Sequence, residues 1–135
     1  MSPKKYEHLV ITRPPKTDGL FGSEFEFRGD TDYKSDFSMF SIQVREPCLM
    51  EKDPHVHDFD MCVYFLAPDG NMDDLGGEID FGFGDGPDKE IYTFTKATSI
   101  FIPKGVVHCP LNFKKVTKPI IFVHLTLAEK YFKKA

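Results

Sequence analysis

Hydrophobic and polar residues alternate along several short stretches of the chain, a pattern that is typical of strands with one buried face. The clearest cases are residues 24–27, 37–44 and 78–84. Residues 61–66 are instead continuously apolar, which indicates a strand that is buried on both faces or lines a barrel. We predict strands over residues 7–12, 24–27, 37–44, 61–66, 78–84, 90–94, 99–102 and 119–127.

Turn-forming residues separate these predicted strands. The stretch 67–77 is rich in proline, glycine and aspartate and predicts a long surface loop, while residues 85–88 predict a tight turn. Short strands with hardly any helix predict an all-β fold, either a small barrel or a sandwich. We expect one domain, with N-terminal strands and an arm over residues 1–36, a barrel over 37–127 and a short C-terminal helix or tail over 128–135.

Composition argues against several classes of function. The chain has 135 residues, which suits one domain with its own core, and a formal net charge of -4 with scattered lysines, so nucleic acid is not an expected partner. The three cysteines form no Cys-x-x-Cys pair, which argues against a disulfide framework and a thiolate zinc site. No apolar run has the length of a signal peptide or a membrane span. We therefore expect a soluble, cytoplasmic protein with no membrane partner.

Histidines provide the strongest candidate chemistry. His55 and His57 are two residues apart, and on an extended segment both imidazoles face the same side. Two imidazoles directed at one point are suitable first ligands for a divalent metal. His108 is the best candidate for a third ligand.

The residues around these histidines resemble the two motifs of the cupin superfamily. His55-x-His57 is followed by an apolar strand, and Pro103-x-Gly105-x-x-His108-x-x-x-Asn112 is similar to the second motif from proline to asparagine. The resemblance covers residues 37–126. It implies a double-stranded jelly-roll β-barrel, with one divalent transition metal held by the three histidines, and a homodimer.

The first motif departs from the family pattern at one position. Similar cupins place a glutamate four residues after the second histidine, where this chain has Met61. Three neutral imidazoles without a carboxylate leave coordination positions open. The fourth ligand stays undecided between Met61, Asp60, which would need a β-bulge to turn inward, and Glu78. Thiol and diketone dioxygenases with three-histidine sites resemble this situation and use ferrous iron, so iron is favoured, with zinc, manganese, nickel and copper left open.

These features predict a metal-dependent enzyme that acts on a small polar molecule, with a non-heme iron dioxygenase favoured. Tyr64 or Glu78 would serve as acid or base if its side chain faces inward. Two alternatives stay open: an isomerase, epimerase or dehydratase that works with or without metal, and a non-catalytic cupin that binds a small ligand. Strand parity alone does not decide whether His124 faces the interior.

Overall fold

Two antiparallel sheets make up most of the protein. The computed structural model describes residues 4–128. The described part contains nine strands: β1 (Gly22–Phe27), β2 (Ser38–Val44), β3 (Cys48–Glu51), β4 (Met61–Leu66), β5 (Gly77–Phe83), β6 (Glu90–Phe94), β7 (Thr98–Ile102), β8 (His108–Val116) and β9 (Ile120–Thr126). The helical turns are short: 3₁₀ turns at Glu7–Leu9 and Gly86–Asp88 and a π-helical turn at Gly29–Tyr33.

The strand order is that of a jelly roll. One sheet has five strands in the order β1-β2-β9-β4-β7, and the other has four in the order β3-β8-β5-β6. Neighbouring strands are therefore mostly distant in sequence, as in β2 with β9 and β3 with β8. The predicted all-β, double-stranded jelly-roll fold is confirmed.

Aromatic side chains join the two sheets. The ring of Phe65 on β4 lies 5.9 Å from that of Phe113 on β8 and 5.2 Å from that of Phe122 on β9, measured between centroids. All three side chains are buried, and aromatic pairs at such distances contribute about 0.5–1.5 kcal/mol beyond their burial. Met61 and Val63, which share the inward face of β4 with Phe65, line a cavity. The aromatic core thus closes the interior on one side of that cavity.

Three strand assignments differ from the sequence prediction, and one of them is β8, at His108–Val116, where no strand was predicted. Residues 7–12 are predicted as a strand, but Glu7–Leu9 form an exposed 3₁₀ turn that pairs with no strand. β3, at Cys48–Glu51, is missed because it has only four residues and a register shift between Leu49 and Glu51 breaks its alternation. The C-terminal helix predicted over 128–133 lies outside the described residues, except for its first position. Within residues 4–128 no helix is both long and apolar enough to span a membrane.

Candidate metal centre

The structure brings the three predicted metal ligands together. His108 begins β8, and its backbone forms an isolated antiparallel bridge with that of His55, with N–H···O distances of 3.0 Å in both directions. The candidate ligand nitrogens of His55, His57 and His108 all lie within 4.8 Å of one another. Nitrogens bound to one ion at about 2.1 Å are roughly 3–4 Å apart, so small ring rotations would suffice for a shared ion. This backbone pair thus joins two histidines that are 53 positions apart in the sequence.

Backbone carbonyls fix the tautomers of two of these histidines. Nδ1 of His108 lies 2.9 Å from the carbonyl oxygen of Val106, and Nδ1 of His55 lies 3.2 Å from that of Asp53. A carbonyl can only accept, so each Nδ1 carries the hydrogen and each Nε2 keeps its lone pair. Nε2 of His108 is buried and has no hydrogen-bond partner among the described residues. Such an atom is suited to bind a metal ion.

Burial also keeps His108 in the form that binds metal. Loss of solvent is the main cause that lowers the pKa of His108 to about 4, with smaller contributions from the nearby His55 and His57 and against the opposing hydrogen bond to Val106. The side chain is only 1% exposed. His108 is therefore neutral at neutral pH, and no proton has to be displaced before its Nε2 can bind a metal.

The loop before β8 is attached to the segment that carries His57. The N–H of Gly105 donates to the carbonyl of His57 at 3.0 Å, and the N–H of Lys104 donates to Oδ1 of Asp60 at 2.8 Å. Gly105 has a φ of +81°, a conformation that glycine adopts without strain. Asp60 was one candidate for a fourth ligand, but it is not part of the histidine cluster and its carboxylate holds this loop.

Of the other two candidates for the fourth position, only Met61 lines the cavity. Met61 is 3% exposed, faces inward from β4 and lines the cavity together with His55 and His108. Glu78 lies on the opposite face of β5 from buried Ile79, and its carboxylate is 3.3 Å from Nζ of Lys114. A thioether is a soft, weak ligand, so the position that holds a glutamate in similar cupins carries no charge here.

The acid or base roles predicted for Tyr64 and Glu78 required side chains that face inward, and neither lines the cavity. Tyr64 alternates with buried Val63 and Phe65 and so faces outward, where hydrogen bonding to Cys62 raises its pKa. These two assignments are therefore corrected. Sequence could not make this choice, because the identity of the inner face follows only from how β4 and β5 pack.

Beside the histidines lies a cavity of about 610 Å³. Most of its wall is apolar, and its charged side chains are three glutamates, Glu24, Glu26 and Glu51, and one arginine, Arg28. The arginine pairs with Asp30, with nitrogen-to-oxygen distances of 2.9 and 2.7 Å. Glu51 was not singled out in the sequence because nothing predicted β3.

A fourth histidine also lines the cavity. His124 lies on β9 opposite Val63 of β4 and Phe40 of β2, two residues from Thr126, which is buried. The pKa of His124 is lowered to about 3, mainly by burial and to a smaller extent by the three candidate ligands. Because His124 and Thr126 are two residues apart, the sequence places both on the same face of a strand. It does not show which face of β9 is the inner one.

Comparison with known proteins adds to this geometry. No protein-family model matches the sequence, and no curated protein sequence matches it. Solved structures do match: oxalate decarboxylase from Bacillus subtilis has a TM-score of 0.63 and 10% identity over 91% of this chain and 29% of its own. Oxalate oxidase in complex with the substrate analogue glycolate has a TM-score of 0.60 and 14% identity over 94% of this chain and 63% of its own. Both are cupins. This chain has the cupin fold.

A further structure of the Bacillus subtilis decarboxylase, solved in work on its Mn(II) centres, matches with a TM-score of 0.63 and 10% identity over 98% of this chain and 37% of its own. The chain thus spans about a third of the length of the decarboxylase chains. At these identities the likeness shows the fold alone. The candidate metal centre rests on the three histidines of this chain alone.

Proposed function

We propose that this cupin is an enzyme that binds one divalent transition metal through His55, His57 and His108. The observation that carries the proposal is the buried Nε2 of His108, which has no hydrogen-bond partner among the described residues while its Nδ1 is engaged by a backbone carbonyl. Manganese is our first candidate, since the decarboxylase of the same fold has Mn(II) centres. Iron, which the sequence resemblance favours, is the second.

The favoured reaction is oxidative and uses dioxygen on a small molecule bound in the cavity. A divalent metal with open positions would polarise a substrate oxygen and supply one-electron chemistry. Because the three ligands are neutral imidazoles and Met61 is uncharged, the site adds no negative charge of its own. The apolar wall excludes water and so strengthens the charge interactions inside. His55 and His108 are held in place by the carbonyls of Asp53 and Val106.

Glu51 supports a second candidate, a non-redox isomerase or lyase. Glu51 is the last residue of β3 and lines the same cavity as the histidines. It is close enough to His108 to influence the pKa of that histidine. A carboxylate in this place could move a proton on a metal-bound substrate. Dioxygen uptake separates the two candidates: turnover with uptake supports the oxidative reaction, and turnover without it supports proton transfer through Glu51.

The experiment that tests the proposal is metal analysis of untagged protein. We expect near-stoichiometric metal in the wild type and less than a tenth of that in His57→Ala/His108→Ala. His8→Ala is the matched control, because His8 lies on the exposed 3₁₀ turn. Thermal unfolding of each protein checks that the double variant is folded. A wild type that holds no metal and takes up none of manganese, iron or zinc would end the proposal.

A further inference from the structure

We propose that Thr126 and His124 form a second binding position in the cavity, which holds an uncharged hydroxyl, carbonyl or amide of a substrate whose other end reaches the three histidines. The inference rests on the proposed function of the histidine site. It adds the chemical class of the substrate: a molecule with a metal-binding end, a neighbouring uncharged polar group and an apolar body.

The two side chains share the inner face of β9 beside the histidines. Thr126 is directly opposite Met61, and His124 is directly opposite Val63, on the neighbouring β4. Positions directly opposite in an antiparallel pair are about 5 Å apart, and positions i and i+2 of one strand are about 7 Å apart. Thr126 therefore lies next to the position where similar cupins have a glutamate, and His124 lies one step further along the wall.

The hydroxyl of Thr126 differs from that of Ser38 in its hydrogen bonding within the described residues. The residue is 1% exposed, and its Oγ1 is buried with no hydrogen-bond partner among residues 4–128. Ser38, directly opposite Thr126 on β2, differs: its Oγ accepts from the N–H of Gly29 at 2.8 Å and donates to the carbonyl of Ala128 at 3.1 Å. Since a buried polar group without a partner is costly, the Thr126 hydroxyl is the one of this pair that gains from a bound ligand.

The charges around the cavity favour an uncharged group here. Three glutamates line the cavity, and its one arginine already pairs with Asp30. A carboxylate placed beside Thr126 and His124 would meet no lysine or arginine of the cavity that lacks an ion-pair partner. A hydroxyl or carbonyl would find a donor and an acceptor without a cost in charge.

Apolar neighbours define the rest of the substrate. Phe40, Ile42, Val63 and Phe122 contribute to the same wall of the cavity. An aliphatic or aromatic body would displace water from these side chains, whereas a small dianion would leave them without a contact.

Three related chelators test the inference. Catechol, pyrogallol and 2,3-dihydroxybenzoate carry the same pair of chelating hydroxyls and differ only at the adjacent carbon, which bears hydrogen, hydroxyl or carboxylate. Each is titrated calorimetrically, without oxygen, into protein loaded with manganese. We expect the wild type to bind pyrogallol most tightly and 2,3-dihydroxybenzoate most weakly.

Variants assign the effect to Thr126. In Thr126→Val, which keeps the shape and removes the hydroxyl, the preference for pyrogallol over catechol should fall by about 3–10-fold, the effect of one hydrogen bond. Thr126→Ser should keep the preference. Thr93→Val is the matched control, because the Thr93 hydroxyl donates to Asp80 on an exposed surface. Metal content and thermal unfolding are measured for every protein.

Each outcome decides a different point. An unchanged preference in Thr126→Val with metal bound overturns this inference and leaves the metal site standing. Tightest binding of 2,3-dihydroxybenzoate, or no preference for pyrogallol in the wild type, also overturns it, even if Thr126→Val does not fold. A wild type that takes up no metal removes the proposed function and this inference with it.

Discussion

The two sides of the cavity hold their polar groups in different ways. On the histidine side, the backbones of His55 and His108 pair with each other, and each Nδ1 is engaged by a carbonyl. On the β4–β9 side, which we define by Met61, Val63, His124 and Thr126, polar atoms stand among apolar side chains and the Thr126 hydroxyl has no partner in the described chain. A side whose ligands are fixed in advance suits an ion that is always present. A side with an unsatisfied group suits a ligand that comes and goes.

Met61 lies at the boundary between these two sides. It follows the segment that carries His57 and stands directly opposite Thr126. A glutamate at this position would add a negative charge to the metal and belong to the histidine side. The methionine would instead leave a bound metal with neutral ligands, and it extends the apolar wall toward the histidines. The departure from the cupin pattern thus places position 61 on the apolar β4–β9 side of the cavity and not on the histidine side.

Met61→Glu should remove the difference between the two sides at position 61 and have the largest effect on stability. A carboxylate in this apolar, 3% exposed position has no partner without metal, so we expect the metal-free protein to lose about 3–5 kcal/mol of stability. With manganese bound, the carboxylate gains a ligand bond, and most of that loss should be recovered. Denaturant unfolding with and without manganese measures both values.

Met61→Gln is the control for this change, because it has the length of glutamate without the charge. It should lose stability with and without metal and show little recovery. If the stabilities of Met61→Glu and Met61→Gln respond equally to manganese, the side chain at position 61 does not face the ion. Position 61 then does not separate the histidine side from the β4–β9 side.

Periodicity predicted the strands that carry the β4–β9 side, and motif spacing predicted the histidine side. β4 and β6 have the predicted bounds, 61–66 and 90–94, because long alternating or apolar runs leave few other solutions. The inner faces were harder to predict. Alternation shows that Tyr64 and Val63 point in opposite directions, but only the packing of the folded protein, in which Val63 is buried, shows that Val63 is inside.

The same limit explains the cavity residues that the sequence did not assign. Glu51 and His124 line the cavity, yet the local sequence pattern does not show that either side chain faces inward. Their positions depend on contacts with strands far away in the chain: β3 pairs with β8, and β9 pairs with β2 and β4. Local sequence carries no information on those pairs, so chemistry that depends on them appears only in the folded protein.

His124→Phe should make the β4–β9 side fully apolar and have an intermediate effect, which is measured as a change in the pH dependence of stability. Burial lowers the pKa of His124 to about 3 in the folded protein, against about 6.5 in an unfolded chain. Between pH 7 and pH 5 the unfolded chain therefore takes up a proton that the folded protein does not, and stability falls as the pH falls. Removing the imidazole should reduce this fall by about 1–2 kcal/mol in the metal-free protein.

Urea unfolding at pH 7 and pH 5 measures the change, with His8→Phe as the matched control at an exposed position. If His124→Phe loses as much stability as the wild type between these pH values, His124 takes up its proton in the folded state and does not belong to an apolar wall.

Asp60→Asn should give the smallest effect, on the histidine side. The Asp60 carboxylate accepts from the N–H of Lys104 at 2.8 Å, and the adjacent Gly105 donates to the carbonyl of His57 at 3.0 Å. Asparagine keeps the shape and can still accept, but it loses the charge, so we expect a loss of about 0.5–1 kcal/mol in stability. Because this loop leads into His108, manganese affinity should also fall about 3-fold, which is less than the roughly 10–100-fold effect of groups that bond directly to metal ligands. Asp58→Asn, at an exposed position two residues earlier, should change neither value. Equal effects of the two substitutions on manganese affinity would mean that only the overall charge near the site matters, and that the loop does not position His108.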